Sequence, residues 1–128
     1  MAYHVSKSEF SRLVEQALSE LPPQFQDFLD EVPVQIEDRP GRRLLQSLEL
    51  DEDDLLLGLY QGPDLMVRSE VEGRGTPMPN HILIFQENIE LASNSEQELI
   101  EQVRTTVLHE LGHHFGMSEE DLDELGYG

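Results

Sequence analysis

A chain of 128 residues with a formal net charge of −19 and no cysteine excludes several classes at once. The charge repels nucleic-acid phosphates and anionic membranes, no disulfide can form, and no run approaches the roughly 18 apolar residues of a membrane span. What remains is one domain over residues 1–128 with a single core, expected to be a monomer, and expected to be cytoplasmic because the first residues carry no apolar signal-like stretch and the cysteine-free composition suits a reducing compartment.

Ser6 and Glu9 stand at capping-box spacing, with Val5 and Phe10 placed as a hydrophobic staple. Phe10, Leu13, Val14, Ala17, Leu18 and Leu21 then recur at helical intervals, which predicts an amphipathic helix stopped at Pro22-Pro23. Phe25, Phe28 and Leu29 suggest a shorter helical piece behind it. Val32 to Ile36 alternates as a strand does, and Pro33, lacking an N–H for a ladder, disfavours a central place in the sheet. Asp38-Arg39-Pro40-Gly41 is a turn, and Leu44, Leu45 and Leu48 suggest a short helical turn.

The acidic tetrad Asp51 to Asp54 lacks the glycine and later glutamate that a calcium loop needs, so it reads as solvated surface. Leu55 to Tyr60 is an apolar run bounded by Gly62-Pro63, most simply a buried strand. Residues 61–80 hold Gly62, Pro63, Gly73, Gly75, Pro77 and Pro79, the composition of a long loop, with Met66-Val67-Arg68 as a short strand inside it. His81 to Phe85 is the clearest strand; Asn88-Ile89-Glu90-Leu91 and the polar Ser93-Asn94-Ser95 follow.

Ser95 with Glu98 marks a second helix entry, and Leu99, Ile100, Val103, Val107, Leu108, Leu111 and Phe115 supply its apolar stripe. Gly116 falls where a left-handed terminator belongs. The last turns of this helix contain His109-Glu110-Leu111-Gly112-His113. Residues four apart share a helix face, so His109 and His113 can offer two imidazoles to one cation. Zinc takes such ligands and keeps a position for water in catalytic sites. Glu110, about 100° round the helix from His109, suits the general base that deprotonates this water.

Two histidines do not complete a site. In the compact His-Glu-x-x-His-x-x-Gly-x-x-ligand arrangement the glycine is Gly116 and the third ligand Glu119. Glu120 and Asp121 compete with it, and an acid after Ser118 also suits the first turn of a final helix, Glu119 to Leu125, capped by Ser118 with Asp121. His114, one step from His113, reads as surface or as a group supporting the site; His4 and His81 are remote from the motif. Tyr60 or an arginine of the 61–80 loop is a candidate for stabilising an oxyanion.

The run T-V-L-H-E-L-G-H-H-F-G-M-S-E-E, with H-I-L-I-F-Q, L-L-G-L-Y-Q-G and E-V-P-V-Q-I-E-D-R-P before it, resembles the minimal zincins, small bacterial zinc-metallopeptidase-like domains with a metzincin-like motif. The resemblance implies His109, His113 and Glu119 as zinc ligands and Glu110 as catalytic acid/base, with one Zn²⁺ per chain and a peptide or protein substrate. No methionine follows Glu119, unlike the larger metzincins with their Met-turn. The element order predicts an α+β fold, with helices on one face of a mixed or antiparallel sheet and the metal helix near the C-terminus. The alternative function is a metal-binding regulatory or protein-interaction domain with little proteolytic activity.

Overall fold

The computed structural model describes residues 2–51, 53–62, 80–116 and 118–124, except the side chains of His113, Glu119, Leu122 and Asp123. The elements run α1 (Lys7–Ser19), α2 (Pro23–Leu29), β1 (Val34–Glu37), α3 (Arg42–Ser47), β2 (Gly58–Gln61), β3 (His81–Phe85), α4 (Gln86–Leu91), α5 (Glu96–His114) and α6 (Glu119–Glu124). This is the α+β class that the sequence predicts. The expected strand at Met66-Val67-Arg68 lies outside the described residues.

The helix starts follow their caps. Ser6 Oγ accepts the Glu9 N–H at 3.1 Å at the head of α1, while the Glu9 carboxylate turns to Arg12 instead of closing the box. At α5, Ser95 Oγ accepts the Glu98 N–H and Glu98 reaches back to the Asn94 N–H at 2.9 Å. Helix α1 ends at Ser19, and Gln26 from α2 donates to the carbonyls of Leu18 and Leu21, the first of which also accepts the Leu21 N–H.

The sheet has the order β1-β3-β2. Strand β1 runs parallel to β3 and β2 antiparallel to it, so the sheet is mixed. Pro33 sits just before β1, on an edge of the described sheet, where its carbonyl still accepts the Ile82 N–H at 2.9 Å. The registers set Val34, Ile82 and Tyr60 in one cross-strand row and Ile36, Ile84 and Gly58 in the next. Partners in register point to the same face, and these two rows meet the helices. The core there comprises Phe10, Leu13 and Ala17 of α1 and Leu99, Val103, Val107, Leu108 and Leu111 of α5, all fully buried, over Ile82 and Ile84.

Helix α5 is the element in common, packing on α1, β2 and β3. Arg12 reaches Glu96 at 3.2 Å, and Arg104 pairs with Glu20. Early α1 therefore meets early α5 and the end of α1 meets its middle, so the two helices run in the same direction. Among the described residues no helix is long and apolar enough to cross a membrane.

Two expectations need correction, and one helix is added to those the sequence predicts. The run Leu55 to Tyr60 becomes strand only from Gly58, and Leu55 is exposed. Phe115 lies beyond the end of α5 and is 43% exposed, because the stripe it was assigned to stops with the helix. Residues 86–91, which carry no helical apolar rhythm, form α4. The reason is polar burial. Gln86 and Glu90 face inward to serve the backbone of the N-terminal segment: Glu90 accepts the Val5 N–H at 3.0 Å, its backbone carbonyl accepts the Tyr3 N–H, and Gln86 donates to the Val5 carbonyl and to Glu90. His4 Nδ1 lies 3.1 Å from the same carboxylate.

Two outcomes follow. Burial alone would raise the Glu90 carboxyl, but the Val5 N–H, the Gln86 amide and His4 together hold it below the ordinary carboxylate range. A depressed folded pKa stabilises above the unfolded pKa and loses that stability as pH falls. The cost of Glu90→Gln, about 1–3 kcal/mol at neutral pH for a buried charged acceptor, should therefore shrink below about pH 4.3, the unfolded glutamate value, in urea titrations across pH. Second, a Cβ built at Gly58 would stand 2.6 Å from Thr106 Cγ2 and 2.8 Å from the Leu83 carbonyl oxygen. Gly58→Ala should cost about 1–3 kcal/mol in the same assay, and adding Thr106→Ser should recover only part, because the Leu83 backbone cannot give way.

Candidate metal centre

Helix α5 is continuous from Glu96 to His114, so His109 and His113 sit one turn apart near its C-terminal end, as their spacing predicts. His109 is half-buried, and its Nε2 is shut off from solvent. The side chains of His113 and Glu119 lie outside the described ones; among those described, no three His, Asp or Glu side chains form a ready-made cage. Two imidazoles on one helix turn, one of them with a nitrogen sheltered from water, and a carboxylate beyond a sharp chain reversal make a set that zinc accepts. The residues fit the group.

The reversal is visible. Gly116 has φ +76°, the left-handed conformation that stops α5. Ser118 and Asp121 then cap α6 reciprocally: the Ser118 N–H donates to Asp121 Oδ2 at 3.0 Å, and the Asp121 N–H to Ser118 Oγ at 3.1 Å. Asp121 is thereby engaged at the helix start, while Glu120 is exposed to solvent. Helix α6 begins at Glu119 and packs back on α5.

Glu110 is held by a group that the sequence does not advertise. Its Oε1 accepts the backbone N–H of Tyr60 at 2.8 Å. In the antiparallel pair, Phe85 N–H bonds to the Leu57 carbonyl. Such bonds recur at every second residue, so Leu59 and Gln61 face β3 while the N–H groups of Gly58 and Tyr60 point away from it. Glu110 takes the second of these. The Tyr60 ring also stacks on His114, with centroids 4.2 Å apart and planes 17° from parallel. Beyond it, Phe115 meets His114 edge-on at 4.7 Å and stacks on Phe28 at 4.1 Å.

The remaining candidates are dispersed. His4 belongs to the Glu90 cluster, and His81, fully buried in β3, pairs with Gln61 Oε1 at 3.1 Å across the strands. Arginines 68 and 74, the loop candidates for an oxyanion contact, lie outside the described residues. Sequence reasoning missed Gly58 and the amide of Tyr60. The available signal was the spacing of Thr106, Glu110 and His114, an i, i+4, i+8 series beside the histidine pair.

Compared with known protein families, the chain matches the family described as zincin-like metallopeptidase over residues 29–128. A comparison with curated proteins gives no match.

The chain reversal can be tested apart from any metal. A Cβ at Gly116 would meet nothing within 4 Å, so substitution there carries a purely backbone penalty. Gly116→Ala should lower the stability of the metal-free protein by about 1–2 kcal/mol, and Gly116→Asn by less, since asparagine tolerates the left-handed region. Equal costs in urea denaturation would show that the position does not need that conformation.

Proposed function

The chain belongs to the zincin-like metallopeptidase family, and from that premise we propose that it hydrolyses peptide bonds with the aid of zinc. His109, His113 and Glu119 are the residues that would hold the metal, and Glu110 is the general base. When bound, zinc supplies Lewis acidity to the scissile carbonyl and to the attacking water. Glu110 takes one proton from that water and returns it to the departing amine, so the carboxylate is regenerated in each cycle. The observation that carries this reading is the placement of the Glu110 carboxylate, fixed by the Tyr60 N–H at an edge of the described sheet, on the helix turn shared by His109 and His113. A peptide in extended form suits such an edge, where its backbone would pair with outward groups of β2 other than the Tyr60 N–H that Glu110 takes. The formal charge of −19 favours substrates with basic residues near the cleaved bond and disfavours a ribonuclease.

The test begins with metal content. Untagged protein should carry about one zinc per chain, retained in Glu110→Gln and weakened in His109→Ala and Glu119→Ala. In a peptide-library screen the Glu110→Gln protein should lose at least about 10²-fold in kcat. Zinc retained at the wild-type level in Glu119→Ala would move the third ligand to Glu120 or Asp121. A wild-type protein that takes up no zinc even after reconstitution would overturn the hydrolase reading in favour of a regulatory or interaction domain.

A further inference from the structure

We infer that Tyr60 and His114 form a clamp that positions Glu110, with His114 acting on the base through the edge strand rather than by touching substrate. The inference rests on the reading of Glu110 as the base, but its geometry stands independently of activity.

Helix α5 lies along β2 in the same direction. Thr106 stands over Gly58, since a Cβ there would lie 2.6 Å from its methyl group. One turn on, Glu110 takes the Tyr60 N–H, and one turn further His114 covers the Tyr60 ring. The rises match: four residues of helix span about 6 Å and two of strand about 6.7 Å. Helix and strand stay in step over this stretch. Tyr60 is thus gripped twice by one helix face, its backbone by Glu110 and its ring by His114. Either contact fixes the place of the other.

The ring contact is a stack more than a hydrogen bond. Tyr60 Oη lies 3.2 Å from His114 Nε2, yet rings 17° from parallel at 4.2 Å face each other. The hydroxyl approaches the imidazole over its face, away from the in-plane direction in which a nitrogen accepts or donates. Stacking therefore carries the contact, and any flat ring at position 114 should serve. Tyr60 itself is 5% exposed and His114 is exposed, so the histidine acts as a cover laid over the tyrosine from the solvent side.

The experiment is residue-resolved amide hydrogen exchange on the full chain with the metal it carries on purification, beside turnover of a peptide it cleaves. In His114→Ala the Tyr60 amide should exchange at least about tenfold faster, while Leu59 and Gln61, bonded to β3, keep their wild-type rates. His114→Phe and Tyr60→Phe should stay within about threefold of wild type at the Tyr60 amide. In turnover, His114→Ala should lower kcat by about tenfold or more with KM little changed and zinc content intact, and His114→Phe should restore it. A Tyr60 amide that stays protected in His114→Ala, a uniform rise across β2, or failure of His114→Phe to rescue would each overturn the clamp. Faster Tyr60 exchange in His114→Ala alongside a wild type that cleaves no peptide would uphold the clamp and reject the peptidase reading.

Discussion

Helix α5 can lie on β2 only because position 58 carries no side chain. The approach of Thr106 to within 2.6 Å of where a Cβ would stand sets the distance between helix and strand, and the Glu110 hydrogen bond and the His114 stack depend on that distance. Glycine is costly inside a strand because it orders a flexible backbone without a side chain to pack. Here that cost is offset by closeness. A carboxylate one helix turn beyond Thr106 reaches a backbone amide at 2.8 Å without leaving its own helix. The apolar seam beneath, from Val103 to Leu111 against Ile82 and Ile84, supplies the attraction, and the glycine lets it bring the two elements near enough for polar contact.

The elements that the sequence announced clearly are those whose inward face is apolar throughout. Helices α1 and α5 have buried stripes at helical intervals, and Ser6 and Ser95 mark their starts by accepting the N–H three residues on. Strand β3 is apolar on both faces and bounded by polar residues, so its limits could be read directly. Helix α4 was not legible, because Gln86 and Glu90 occupy its buried side and remove the apolar rhythm. Their burial makes sense only once residues 3–5 lie against them, a contact between segments more than 80 positions apart. Hydrophobic patterning reports the part of the core made by apolar groups and is silent about buried polar tethers.

The candidate site divides in the same way. The histidine spacing, the glycine terminator and the cap at Ser118 are local features, and local features can be read from a string of residues. The contact that fixes Glu110 is not local. It joins residues 50 apart in the chain and uses a backbone amide, which every residue but proline possesses and which therefore leaves no signature. His114 was placed outside the histidine pair's face, and the structure gives it a face of its own in line with Thr106 and Glu110.

This second face separates a hydrolytic reading from a purely structural one. A domain that used metal only for stability would need ligands and closed coordination, and nothing in that role asks for an orientated carboxylate beside them. Left to itself at the surface, a glutamate between His109 and His113 would sample several rotamers in water, and any chemistry by it would bear the cost of ordering that side chain each time. Tyr60 removes this freedom in advance, since its N–H points away from β3 and donates to the carboxylate at 2.8 Å. A general base gains from such preorganisation, because proton transfer depends on heavy-atom distances near 3 Å. That N–H is one of the outward-facing groups of β2, so the carboxylate it holds sits at an edge of the described sheet. On the proposed reading of Glu110 as general base, a carboxylate held in place beside the histidine pair suits hydrolysis, whereas a purely structural metal site has no use for it.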